Sequence, residues 1–245
     1  MKRLTLGLLV AGLAFVMTSI PLKQAWCKIP ITFEANRGQT DPQVKFLSRG
    51  QGYALFLTPL EAVLSLSDPS GGRPDVLRMR LVGANRAPIL KGVEELRAKS
   101  NYFIGNHREE WRTEIPHYAR VAYQDALPGI NLVFHGSQDR LEYDVVVGSG
   151  ADPKSVTLAF QGAKGIEVNE RGELVLHLTH GDVVQHRPVI YQEVKGIRKS
   201  VEGGYVLKGK DRVGFRVASY DREKPLVIDP TLSYSTYIGG TGSEF

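Results

Sequence analysis

A chain of 245 residues holds one large domain or two small ones. Its 42% hydrophobic and 23% charged residues are ordinary for a globular protein, and its one cysteine, Cys27, excludes an intrachain disulfide. Of the 31 basic residues Lys2, Arg3 and Lys23 fall in the first 27 positions, which carry no acid; the other 28 face 26 acids, so the remaining charge of +2 gives no footprint for nucleic acid.

Residues 1–27 read as a secretory signal peptide: a basic start, an apolar run over Leu4–Ile20, Pro21, and an Ala25-Trp26-Cys27 cleavage site. The rival reading is a membrane anchor, because the run is near the lower limit for a spanning helix. Small residues within it and the polar chain beyond it favour the signal peptide. Gln24 and Trp26 break the lipoprotein pattern before Cys27.

The rest is punctuated by 26 glycines and 13 prolines between short apolar runs, which favours strands and turns. Strands are predicted over Val44–Arg49, Tyr53–Thr58 and Glu61–Ser67, the third with Ala62, Leu64 and Leu66 on one face. Asp68–Pro74 is a loop. Val76–Val82 alternates Leu77, Met79 and Leu81 against Arg78 and Arg80, which are expected on a solvated face. Pro88–Val93 is weakly strand-like, and Ser100–Asn106 is a short apolar run. Asn106 then caps one helical turn over His107–Trp111, with Glu109 and Glu110 near its positive end. Trp111 is expected to plug an edge of the core, with ligand stacking as the minor alternative.

A strand over His117–Tyr123 leads through Leu127-Pro128-Gly129 into a hairpin. Ile130, Leu132 and Phe134 alternate up to a polar turn at Gly136–Arg140, and Leu141, Tyr143, Val145 and Val147 resume the pattern. Gly148–Pro153 is the best internal boundary. Strands follow over Val156–Phe160, Ile166–Val168, Leu174–Leu178, Val183–His186, Val189–Val194, Tyr205–Leu207, Val213–Val217 and Leu226–Ile228. The predicted fold is all-β: an antiparallel β-sandwich architecture of two packed halves, 28–147 and 148–230, with one short helical turn.

Glu142 and Asp144 flank Tyr143 on one strand, so they share a face at a spacing of roughly 6.5–7 Å. Paired carboxylates can perform acid–base work on a sugar. The plainer reading makes them the wet face of a half-buried sheet, or partners of nearby arginines. The six histidines show no metal-ligand spacing, so neither a metal nor a cofactor is expected. A dispersed Ser-His-Asp set stays open, without a Gly-x-Ser-x-Gly elbow to support it. Neither Gly203-Gly204 nor Gly239–Gly242 has the makings of a phosphate loop.

Several runs, taken together, resemble one family: Phe33–Asp41, Ser100–Asn106 with Trp111-Arg112-Thr113, Pro128–Val133, Leu141–Asp144, Gly150–Pro153 and Pro225–Pro230. They look like the N-terminal domain of bacterial exported proteins that carry SBBP β-propeller repeats, a domain with no assigned activity. Leu232–Ser243 looks like the start of the first repeat, so 231–245 is read as a truncated repeat that forms no blade alone. The resemblance supplies no catalytic residue. It implies the propeller repeats of a longer parent as the domain's partner.

The expectation is thus an exported, non-enzymatic module before a β-propeller, acting in structure, adhesion or ligand display at the cell surface or outside the cell. Surface glycans or proteins are its candidate ligands, and only the uncleaved N-terminal segment would meet a membrane. The alternative is a carbohydrate-binding or carbohydrate-active domain using Glu142, Asp144 and Trp111.

Overall fold

The computed structural model describes residues 31–137 and 140–234. The expected leader, the middle of the turn after Ser137 and most of the expected repeat start lie outside them. The fold is all-β. Among the described residues nineteen strands and two single 3-10 turns account for the regular structure, and every strand pairing is antiparallel. No helix among the described residues is long and apolar enough to cross a membrane.

β1 (Phe33–Ala35), β2 (Phe46–Gly50), β3 (Tyr53–Leu57), β4 (Ala62–Leu66) and β5 (Asp75–Leu81) form a meander. Alternation puts Leu55, Leu57, Ala62, Leu64, Leu66, Leu77 and Met79 in the core. Arg80 is exposed as expected, whereas Arg78 is engaged by Glu61.

β6 (Ile89–Tyr102) and β7 (Arg112–Leu127) make a long hairpin. β6 runs well past the predicted segment because its alternation is hidden. It carries Lys91, Glu94, Glu95, Arg97 and Lys99 and contributes no fully buried residue. Its backbone ladder to β7 holds it, and register shifts interrupt that ladder. Charge and irregularity are features that protect a sheet edge from pairing with other chains. Between the two strands, the expected helical turn is a 3-10 turn over Arg108–Glu110. His107, with no side-chain cap bond, stands at its start instead of Asn106.

β7, β8 (Ile130–Ser137) and β9 (Arg140–Val147) continue the sheet. Leu127 pairs with Ile130 across Pro128-Gly129, and Gly129 has φ +71°. Proline followed by a glycine of positive φ is the chemistry of a type II turn. Ile130, Leu132, Phe134, Leu141, Tyr143, Val145 and Val147 are all buried. Each such large side chain contributes about 1.5–3 kcal/mol of apolar burial.

Beyond Gly148, a second 3-10 turn at Pro153–Ser155 is capped by Asp152, whose side chain accepts from the Lys154 N–H. β10 (Thr157–Gln161) then pairs with β5. β11 (Gly165–Val168), β12 (Leu174–His177) and β13 (Asp182–Gln185) make a small separate sheet. β14 (Val189–Val194) and β15 (Ile197–Ser200) form a hairpin, as do β16 (Gly203–Leu207) and β17 (Arg212–Val217), with β17 also joining β10. β15 escaped sequence reading because all four of its residues are exposed. β18 (Leu226–Asp229) inserts between β14 and β9, and β19 (Leu232–Tyr234) completes the small sheet.

The main sheet thus runs β15-β14-β18-β9-β8-β7-β1-β2-β3-β4-β5-β10-β17-β16, with β6 on the side of β7. Its two ends lie close: only Val201-Glu202 separates β15 from β16, and the Arg187 guanidinium, just before β14, donates to the Gly203 carbonyl of β16. A Cβ on Gly203 would collide with the Arg216 carbonyl of the neighbouring β17 and with the tip of the Ile190 side chain, so this position requires glycine. One cluster of buried side chains lies inside, drawing on Leu132 and Tyr143 as well as on Leu158, Leu176 and Phe215.

Candidate functional site

The face of the β8–β9 hairpin turned away from the core carries His135, Glu142 and Asp144. Their positions follow from register: His135 stands opposite Glu142, and Val133 opposite Asp144. β18 adds a fourth group. Ile228 pairs with Val145, and the same register reaches the isolated Glu142–Thr231 bridge. Asp229 therefore lies beside Asp144, with Leu226 and Ile228 buried on the opposite face.

The His135 Nε2 atom is 3.3 Å from Asp144 Oδ2, and its Nδ1 is 3.8 Å from Glu142 Oε2. The first contact lacks hydrogen-bond geometry and is an ion pair only when His135 is protonated. Buried within the cluster, His135 Nε2, Asp144 Oδ1 and Asp229 Oδ1 make no hydrogen bond. One ligand atom from each of His135, Asp144 and Asp229 falls within 4.8 Å of the others, so these three residues can hold a metal ion.

The electrostatics match this crowding. Burial, then the negative charges of Asp144 and Glu142, push the Asp229 carboxyl up to about 6, against the opposing pull of His135 and Arg198. Burial opposes a charge on His135, but Asp144, Glu142 and Asp229 together outweigh it and hold its pKa above the ordinary value. Tyr191 borders the cluster, with the Arg198 guanidinium 4.4 Å from its ring centre.

Two expectations are corrected here. Glu142 is on the outer face but is not wet: it is 7% exposed, and the basic side chain beside it is a histidine, not an arginine. Trp111 lies outside the core. It packs edge-to-face on Phe103 at 5.0 Å, under the Arg108 guanidinium, and donates to the Gly105 carbonyl. Apolar alternation could not show this, because Trp111 sits in a connection. Phe103 and Ile104 beside it are 64% and 51% exposed, so an apolar tip closes the β6–β7 hairpin.

Sequence reading missed His135 and Asp229. His135 had a signal, because the hairpin's register alone sets it opposite Glu142. Asp229 had a weaker one, an acid on the off-core face of a Leu-Val-Ile-Asp strand, and nothing local shows which strand it meets.

The other histidines are satisfied. The Asp75 carboxylate beside His180 accepts from the N–H groups of Thr179 and His180. His117 bonds Thr32 and Ser100, so Ser100 and His117 lack the carboxylate that a triad needs.

A protein-family model described as "Domain of unknown function (DUF7948)" matches residues 33–231. No curated protein and no solved structure matches the chain.

Proposed function

The chain belongs to the DUF7948 family, and from that premise we propose that it is an exported, non-enzymatic β-rich module that stands before a β-propeller. It serves in structure, adhesion or ligand display at the cell surface or outside the cell. The observation that carries this reading is the exposed tip formed by Phe103, Ile104 and Trp111 at the end of the long β6–β7 hairpin. A partly exposed aromatic pair on an extended arm is suited to contact, because exposed apolar patches rimmed by polar residues mark binding surfaces. The signal-peptide layout of residues 1–27 and the repeat-like Leu232–Ser243 run support export and the propeller context.

Fractionation of cells producing the chain tests export: the mature protein is expected outside the cytosol, and its retention there would overturn the reading. A glycan and surface-protein array probed with the chain and with Trp111→Ala tests display, with capture expected to drop in the variant.

A second reading, a carbohydrate-active domain, is favoured by Asp229, which places a third acid beside the Glu142–Asp144 pair. Hydrolysis of a polysaccharide panel, lost in Asp144→Asn, would establish it.

A further inference from the structure

We propose that His135, Asp144 and Asp229 bind one divalent first-row transition-metal ion, of the zinc or manganese kind, with Glu142 orienting His135. The inference goes beyond the display reading and does not depend on it.

Asp144 and Asp229 each bury an Oδ1 atom that receives no hydrogen bond, and His135 buries an Nε2 atom in the same condition. Neighbouring carboxylates without a donor are unfavourable away from water unless a proton or a cation lies between them. Elsewhere the same fold satisfies such groups: Asp75, beside His180, takes two backbone N–H groups. Through their backbones Asp144 pairs with Val133 of β8 and Asp229 with Val189 of β14, which leaves these side chains to one another.

Glu142 stands on the other side of the histidine. Its side chain is 9% exposed and accepts no hydrogen bond among the described residues, yet it lies on the Nδ1 side of His135. A ligating histidine ordinarily turns its far nitrogen to a carboxylate, which fixes the tautomer and the ring. His135 has this arrangement, with Nε2 toward Asp144 and Nδ1 toward Glu142.

The donor set selects the ion. One imidazole with two carboxylates suits zinc, manganese or ferrous ions, whereas calcium takes six to eight oxygens. Ligands about 2.0–2.2 Å from such an ion stand roughly 3.4 Å apart in a tetrahedron. The present spread of up to 4.8 Å therefore closes by small side-chain rotations. The ion would join β8, β9 and β18, tying the penultimate described strand to the central hairpin.

The test uses the full chain stripped with EDTA. Titration with MnCl2, followed by the loss of the free-ion spin-resonance signal, and with ZnCl2 by calorimetry, is expected to give one ion per chain and a rise of several degrees in Tm. Asp229→Asn and His135→Gln are each expected to weaken binding at least tenfold, while His177→Gln, at the separate His177–Asp182 pair, leaves it unchanged. Asp144→Asn replaces any variant that does not fold. With Co2+ as probe, Glu142→Gln is expected to shift the visible bands while one ion still binds. No binding at millimolar metal, or full affinity in the folded Asp229→Asn and His135→Gln proteins, overturns the proposal; the cluster is then a proton-sharing network alone.

Discussion

The outer face of β8–β9–β18 and the tip of the β6–β7 hairpin invert the usual arrangement in opposite ways. The first buries polar groups without hydrogen bonds; the second exposes Phe103 and Ile104 to water. Both cost free energy, and neither is needed to fill the core, which Leu132, Phe134, Tyr143 and Val145 fill from the other side of the hairpin. The difference lies in support. The buried cluster stands on three strands held by neighbours on either side. The tip stands on a hairpin whose strand β6 pairs, among the described residues, with β7 alone, and side-chain bonds of Tyr102 with Glu34 and Arg49 tie its end to β1 and β2. A site on paired strands is fixed in geometry and suits a small ligand, while a surface on an arm can reach a large one.

Substitutions break this comparison in graded ways. The largest effect belongs beneath the cluster. Tyr143 is 1% exposed and donates to Gln185 at 2.8 Å, so Tyr143→Ala is expected to cost about 3–5 kcal/mol in urea denaturation. Tyr143→Phe, which keeps the ring, should cost about 1 kcal/mol. Equal costs for the two would mean that the hydroxyl, not the packing, supports the patch.

Next comes Gly203 on β16. Gly203→Ala places a methyl against the Arg216 carbonyl and Ile190, and a loss of about 1–3 kcal/mol is expected by the same measurement. An unchanged midpoint would show that β16 shifts away from β17 and Ile190 freely.

Asp229→Asn should act in the opposite direction. The folded carboxyl titrates near 6 against an ordinary 3.8, so the folded state binds this proton more tightly than the unfolded chain. The resulting stabilisation is present below pH 3.8 and is lost as pH rises through about 6; above that, the charged form is a net burden. The shift corresponds to about 3 kcal/mol without screening, and to about 1 kcal/mol once partial exposure is allowed for. Metal-free Asp229→Asn is therefore expected to be more stable than the parent by about that amount at pH 8, with little difference at pH 4. Denaturation in EDTA at the two pH values measures it, and a less stable variant at pH 8 would contradict the crowding described above.

The smallest effect on stability is expected at the tip. Phe103→Ser should move the unfolding midpoint by less than about 0.5 kcal/mol, since the residue is 64% exposed. A larger loss would make the tip a folding element and remove its contrast with the cluster.

Alternation of Leu, Val, Phe and Tyr with polar residues made the hairpin, its core face and the all-β class legible from sequence. That pattern reports which face meets the core, and Leu132 and Tyr143 follow it. It is silent where packing does not set the residue type, as in exposed β15 and most of β6. It is also silent on pairing between distant strands, and the candidate site is made by such a pairing. Glu142 and Asp144 could be placed on one face, but their burial depends on what lies around that face.

The insertion of β18 between β9 and β14 also has a kinetic meaning. A chain that folds from its N-terminus leaves the edge of β9 open until Leu226–Asp229 has emerged and docked. Pairing across such a separation is slow, because loop closure precedes the contacts that reward it. Until then the hairpin presents an unpaired edge and an incomplete core, the condition that holding chaperones recognise.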